Sequence, residues 1–448
     1  MHQTRKHFSQ DRLIATAHEA IRNKLLILNK GDEDEARRVL NSAMSALALF
    51  TFKFPSLLKF DRLVRVESEA RKTNIHTLFN VGLVPCDTYM RATLDPQLPE
   101  IIHTAPKKIF TLLQRGSILR QHFQFLNHYL VSLDGTGYFS SPTVHCENCC
   151  VKEHKNGSKT YYHQMLAGAI VCPWQKVALP FASPEPIMNT DGATKNDCER
   201  NAAKRWIPRL RREHPFLPII IVADGLSSNA PFIKLLGEHS CRFILVCQES
   251  DHEYLTNWVN AASAEDAPTI ECEDAKKHLK LTYQYMKGVP LNDSNSDVLV
   301  NVVKMWEHNL KTGQTRKWMW ATDLNVTRNN VRDIAAGGRA RWKIENETFN
   351  TLKNQGYEFE HNFGHGEKNL STIFACLMLL AFFIDQCLQL LNVSFQAAYA
   401  RLGAKDTLWE EMRSIFKSYI LPSLEKIYEL ICHPPPPIDL SGRSVAIG

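Results

Sequence analysis

Three acidic side chains and one cluster of sulfur and nitrogen donors are the residues of this sequence best suited to chemistry. Asp134 follows the apolar run "YLVSL", Asp224 follows "PIIIVA", and each precedes a glycine. Glu345 lies in "GGRARWKIENETFNTLKNQ", where Trp342, Phe349 and Leu352 fall on one helical face at about 100° per residue. Glu345 projects between them. A carboxylate on an inward stripe is costly unless something pairs with it. Both aspartates end strand-like runs, and side chains at the carboxyl edge of a sheet can converge. If the helix packs on that sheet, Asp134, Asp224 and Glu345 meet there. Three carboxylates repel one another unless cations lie among them, and an all-oxygen donor set suits Mg²⁺ or Mn²⁺. Such ions activate an attacking oxygen and stabilise a leaving one in phosphoryl transfer. Taken singly, each Asp-Gly pair reads more readily as a turn, and Glu345 can pair with Arg341 one turn earlier. Glu347 is the competing acid, but at about 160° from Glu345 it faces away from the stripe.

The second cluster is "HCENCCVKEHKNGSKTYYHQ". A Cys-x2-Cys step followed by histidines can close a tetrahedral zinc site, and Cys146, Cys149, His154 and His163 are the expected ligands. The ion would brace a hairpin beside Asp134 in a structural role, because thiolates do not suit phosphate chemistry through hard cations. The spacing is not that of a standard finger. On the plainer reading Cys149 and Cys150 are small core residues and His163 is a satisfied strand histidine. His361 and His365, in a glycine-bearing loop, are left outside the site.

Elements must position these groups. Residues 1–128 carry apolar residues at three- and four-residue spacing and read as helical. Within them "NIHTLFNVGLVPCDTYMRATLD" reads as two short helices about Gly82, either a plain hairpin or loosely a helix-turn-helix. From Tyr129 the texture becomes strand-like, with Asn156-Gly157 as a hairpin turn. A helix over "NDCERNAAKRW", the buried strand "PIIIVA", the helix "APFIKLLGEHS" and the strand "RFILVCQE" follow. Residues 250–325 alternate as half-exposed strands do. The chain then returns to helix near Asn329, with Gly337-Gly338 as an interruption before the Glu345 segment. The division is therefore 1–128, a helical region; 129–249, the first part of a core; 250–325, a strand-rich insertion; 326–395, the Glu345 helix and the rest of the core; and 396–448, a helical end with a proline-rich tail.

The 448 residues suffice for two or three domains, and 44% hydrophobic with 22% charged residues is ordinary for a globular chain. A net charge of +6 suits an anionic partner without requiring one. The start "MHQTRKHFSQDR" lacks the apolar core of a secretory signal, and "LSTIFACLMLLAFFID" reads as a buried helix, not a membrane span. Twelve cysteines then read as thiols or metal ligands. A cytoplasmic protein is expected.

The blocks "LVSLDGTGYFSS", "IIIVADGLSSNAP" and "RARWKIENETFNTLKN" resemble the three acidic blocks of DDE transposases of bacterial insertion sequences, in particular the group like insertion sequence 4. The resemblance spans roughly residues 74 to 385. It implies an α/β fold with a ribonuclease-H-like catalytic core, a strand-rich insertion between second and third acids, and a preceding helical region, 1–128, for DNA recognition and dimerisation. It also implies metal-dependent cleavage of double-stranded DNA at terminal inverted repeats, followed by strand transfer into target DNA, by a homodimer acting in the cytoplasm on nucleoid DNA. Asp134, Asp224 and Glu345 match the three acids that hold Mg²⁺ or Mn²⁺. Arg341 matches the arginine of the family's Tyr-x2-Arg-x3-Glu-x6-Lys signature and would contact DNA. Two positions depart from it. Gly338 stands in place of the tyrosine, and Lys353 follows Glu345 after seven residues instead of six, which keeps it as a weaker DNA contact. Trp318 and Trp320 lie where family members use a tryptophan on an unpaired base, although strand tryptophans are commonly core. An inactive DNA-binding relative and a nuclease that does not join strands are the alternatives.

Overall fold

The computed structural model describes residues 8–65, 69–192 and 195–436, so most of the proline-rich tail lies outside the described residues. It opens on helices α1 (Gln10–Leu28), α2 (Glu33–Thr51), α3 (Leu57–Arg65), α4 (Glu69–Phe79), α5 (Asp87–Leu94), α6 (Glu100–Arg115) and α7 (Ile118–Phe123). The caps are local. The Ser9 hydroxyl accepts the Arg12 N–H, and the Asp32 carboxylate accepts those of Asp34 and Glu35. α1 turns Leu13, Ile14, Ala17, Ile21 and Leu25 inward, the three- and four-residue spacing of its sequence. α4 and α5 are the two helices expected about Gly82.

The strands are β1 (Gln124–Phe125), β2 (His128–Ser141), β3 (Cys150–Glu153), β4 (Lys159–Val171), β5 (Leu179–Ile187), β6 (Ile219–Ala223), β7 (Arg242–Cys247), β8 (Thr269–Asp274), β9 (Leu279–Pro290), β10 (Leu299–Asn309) and β11 (Thr315–Thr322). They form one mixed sheet in the order β3-β4-β2-β6-β7-β11-β10-β9-β8. β5 lies along the same edge of β4 as β3, further along the strand. β2–β6 and β6–β7 are parallel pairs, and β2–β4 and β4–β5 are antiparallel pairs. β8 to β11 extend this sheet through the antiparallel β7–β11 pair. The β3–β4 hairpin turns at Gly157, whose φ of +81° is a conformation glycine adopts without strain.

The two faces of the sheet carry different helices. Leu133, Ile219 and Ile221 face a core shared with α8 (Lys195–Glu213), α9 (Ala230–Glu238) and α10 (Glu253–Ala261). Trp206 of α8 lies so close over Gly168 that a Cβ there would sit 2.7 Å from its ring. Leu130, Ile220, Val222 and Ile244 point the other way, into a separate core with α11 (Val331–Arg339) and the segment after it. This alternation decides where the acids point, because residues two apart on a strand share a face.

The chain closes with α12 (Asn350–Asn354), α13 (Leu370–Leu391), α14 (Val393–Leu402), α15 (Lys405–Ser418) and α16 (Glu425–Cys432). With 22 residues, α13 is long enough to cross a bilayer by length and composition, yet 89% of its most apolar window is buried within the protein. It packs against α2, α6 and β5.

Three local expectations are corrected. Asp134-Gly135 does not end a strand: β2 continues through it to Ser141. What ends there is the pairing with β6, which stops at Ser132–Val222. Gly337-Gly338 does not interrupt the helix, since α11 runs through both. The glycines instead allow close packing, because a Cβ at Gly337 would fall 2.8 Å from Phe125 and one at Gly338 would collide with the Trp320 indole. Finally, Glu345 lies not on a straight α-helix but on a π turn, Ile344–Phe349, joined directly to α12. The wider turn changes which residues face inward. Ile344, Thr348, Phe349 and Leu352 are buried, whereas Trp342 is 50% exposed.

Candidate functional site

Asp134 and Asp224 come together by register. Ser132 and Val222 are partners in the parallel β2–β6 pair, so two residues on each chain places Asp134 beside Asp224 on the same face. Beyond Ala223, β6 runs out, and Asp224 leads into a short 3-10 turn, Gly225–Ser227, without capping it through its side chain. The carboxylates therefore stand where the sheet opens between two parallel strands, the usual place for a site in an α/β sheet.

Glu345 reaches the same face on the segment after α11. Buried Ser132 donates its hydroxyl to the Arg341 carbonyl at 2.9 Å, and the Lys343 ammonium donates to the Gln175 carbonyl, so the segment is pinned to β2 and to the loop after β4. Arg341 is buried, and its guanidinium lies 3.6 Å from the Asp134 carboxylate and stacks 4.4 Å from the Trp342 ring. Burial raises the Asp134 carboxyl above its ordinary value. Arg341 and the Gly135 N–H pull it down, and the nearby Asp224 and Glu345 carboxylates push it up again. Asp224 and Glu345 are thus both near enough to Asp134 to act on its charge. Glu347 is exposed. An all-oxygen set of mutually repelling carboxylates has the chemistry of a hard divalent cation site.

The other signature positions are differently employed. The Lys353 ammonium pairs with Glu360 at 2.7 Å. Trp320 is fully buried over Gly338, so it is core, and Trp318 is half-buried beneath the Arg339 guanidinium at 4.5 Å. Arg209 is spent on Glu185 and the Ser183 carbonyl, and Arg211 on the carbonyls of His239 and Leu217.

The sulfur and nitrogen donors do converge, with one replacement. Cys146, Cys149, His163 and His365 bring their donor atoms within 4.8 Å of one another, a set able to hold a metal ion. His154 is not among them: it is exposed near the hairpin turn, with its Nε2 2.8 Å from the Thr160 hydroxyl. A β-strand carries it away from the cysteines, while His365 arrives from the far end of the core. Burial, the largest cause, pushes the Cys149 thiol up to about 11. Burial, and then the neighbouring His365, push the His163 imidazole down to about 4. The signal for His365 in the sequence was only a histidine between two glycines.

No protein-family model matches the chain. A stretch of 67 residues is 33% identical to thiamine-phosphate synthase of Oceanobacillus iheyensis, covering 15% of this chain. The match spans 32% of that enzyme's length, so less than a third of it has a counterpart here. Among solved structures, the chain is similar to the piggyBac transposase synaptic complex with hairpin DNA, with a TM-score of 0.37 and 10% identity over 97% of this chain and 82% of the other. At those values the likeness bears no weight for activity.

Proposed function

We propose that the protein is a DDE-type DNA transposase that cuts double-stranded DNA at the ends of its element and joins those ends to target DNA. The observation that carries this reading is that Asp134 and Asp224 follow the end of the β2–β6 pairing on one sheet face, with the Asp224 and Glu345 charges both acting on Asp134. The order β5-β4-β2-β6-β7, two antiparallel partners followed by two parallel ones, supports a ribonuclease-H-like core. The three acid-bearing blocks of the sequence point the same way.

Asp134, Asp224 and Glu345 would hold Mg²⁺ or Mn²⁺, and Cys146, Cys149, His163 and His365 lie apart from that set. Such a cation supplies activation of the attacking oxygen and stabilisation of the leaving one in an in-line displacement at phosphorus. The chain's own part is placement. β2 and β6 would hold the two aspartates side by side, and the π turn would bring Glu345 to them. Arg341, already at the acids, presents a planar fork suited to a scissile or flanking phosphate. The 3′-hydroxyl freed by cleavage would then attack target DNA in the same site. A homodimer bound to both inverted repeats, with α1 to α7 recognising them, would keep the two ends together, acting in the cytoplasm.

The test is incubation of the full chain with DNA carrying the sequences that flank its gene, with Mg²⁺ or Mn²⁺, beside Glu345→Gln. Cleavage at the ends and strand-transfer products, both lost in the variant and with chelator, are expected. Cleavage without joined products would instead identify a nuclease. A second reading, a DNA-binding relative without catalysis, is favoured by two observations: Lys353 is held by Glu360, and Trp320 fills the space a tyrosine at 338 would need. Binding of the ends by both proteins with no cleavage by either would establish it.

A further inference from the structure

We propose that Cys146, Cys149, His163 and His365 bind one zinc ion, and that this ion is a clasp holding the segment after Glu345 to the strands that carry Asp134. The geometry is that of a tetrahedron. Zinc bonds of about 2.3 Å to sulfur and 2.0–2.1 Å to nitrogen separate S from S by about 3.8 Å, S from N by about 3.6 Å and N from N by about 3.3 Å. The Cys146 and Cys149 sulfurs are 3.9 Å apart. His163 Nε2 stands 3.5 Å from Cys146 Sγ and 3.4 Å from Cys149 Sγ. His365 Nε2 stands 3.3 Å from Cys149 Sγ and 3.1 Å from His163 Nε2. Two imidazole nitrogens and two sulfurs, all aimed at one point, share a single centre.

The protonation of His365 agrees. Its Nδ1 lies 2.7 Å from the Gly366 carbonyl, a contact that only an N–H can make. The proton is therefore on Nδ1, and the lone pair of Nε2 points into the cluster. Cys149, His163 and His365 are buried and Cys146 is half-buried, so the ion would be closed off from water, as structural zinc is. Two thiolates and two imidazoles select zinc over the hard cations suited to the carboxylate site.

The four ligands come from three places. Cys146 and Cys149 lie in the loop between β2 and β3, and His163 is on β4 opposite Phe139 of β2. His365 lies between α12 and α13, 216 residues beyond Cys149. Just past it, the Asp95 carboxylate accepts the backbone N–H groups of Glu367, Lys368, Asn369 and Leu370 at 3.0–3.1 Å. The segment is thus fastened to the helical region by Asp95, and the zinc would fasten it to the sheet. Closing so long a loop is where a metal bond contributes most to stability. The inference does not depend on DNA cleavage.

The test is the zinc content of the full chain purified under reducing conditions, measured by plasma mass spectrometry. One zinc per chain is expected, with affinity reduced more than about 100-fold by His365→Ala and unchanged by His154→Ala. Zinc retained by His365→Ala, or lost by His154→Ala, would overturn the ligand set. Should His365→Ala not fold, Co²⁺ titrated into the reduced, metal-free parent protein reads the site directly. Intense visible bands with thiolate charge transfer support it, and a weak spectrum without charge transfer overturns it. Removal of zinc from the parent should also open residues 355–369 to protease, and an unchanged digestion pattern would refute the clasp.

Discussion

The Arg341 guanidinium lies 3.6 Å from the Asp134 carboxylate on a face where Asp224 and Glu345 also crowd that carboxylate. Arg341 favours the charged form of Asp134, while burial and the two acids oppose it. Removing Arg341 should therefore raise the Asp134 carboxyl further and move the acid limb of a pH–cleavage profile to higher pH. Arg341→Lys should keep most of that balance while losing the planar fork, with cleavage reduced roughly 100-fold. The pH dependence of end cleavage for the parent, Arg341→Lys and Arg341→Ala proteins checks both. An unshifted acid limb in Arg341→Ala would remove Asp134 from the titration.

The same crowding has a sign for stability. A carboxyl raised in the folded state binds its proton more tightly there than in the unfolded chain. Its contribution to stability is thus full below the ordinary value of 3.8 and is lost as pH rises through the folded value. A divalent cation should relieve this penalty at neutral pH. Mg²⁺ or Mn²⁺ at about 100 times its dissociation constant should add about 2.7 kcal/mol, seen as a rise in Tm. Asp224→Asn should abolish most of that rise while leaving the fold intact. An equal rise in Asp224→Asn would place the cation elsewhere.

Gly338 offers a direct test of the departure from the Tyr-Arg-Glu-Lys signature. The signature's tyrosine is excluded here because any Cβ collides with Trp320, itself buried against α11. Gly338→Tyr should destabilise the protein by about 1–3 kcal/mol, as overpacking does, and Gly338→Ala should already cost part of this. Denaturant midpoints measure it. If Gly338→Tyr were neutral, or improved cleavage, the packing account of the glycine would fail.

What the sequence disclosed and concealed follows from the range of the interactions. The strands ending at Asp224, the turn at Gly157 and the strands from 279 to 322 are set by local alternation and turn chemistry, and they read directly. The Glu345 segment was legible as helical but not as a π turn, because the extra residue per turn is imposed by packing on β2 and not by propensity. The exposure of Trp342, expected on the inward stripe, has the same origin. Asp134-Gly135 looked like a strand end because Asp-Gly is turn chemistry, yet here the glycine sits mid-strand and makes room for Glu199 of α8. Nearness in sequence favours His154 over His365 as a ligand. Chain distance says nothing about which imidazole the fold returns to the cysteines.

A second buried ion pair, of Lys53 with Asp385, allows the last prediction. Asp385 of α13 accepts hydrogen bonds from the Lys53 ammonium and, at 2.6 Å, from the Tyr357 hydroxyl. Lys53 is wholly buried and lies 3.9 Å over the Trp409 ring, so Asp385 is the anion that keeps its charge tolerable. Burial lowers the Lys53 amine below its ordinary 10.5, and Asp385 opposes that shift. Asp385→Asn should therefore cost about 3–5 kcal/mol at neutral pH, because it leaves a buried ammonium unpaired. A lysine depressed in the folded state is more readily deprotonated there than in the unfolded chain, so the variant should regain stability as pH rises toward 10.5. Lys53→Met combined with Asp385→Leu should recover most of the loss at every pH. Urea denaturation of the three proteins at neutral and alkaline pH makes the comparison. If Asp385→Asn lost the same stability at both, the cost would lie in packing and not in the charge of Lys53.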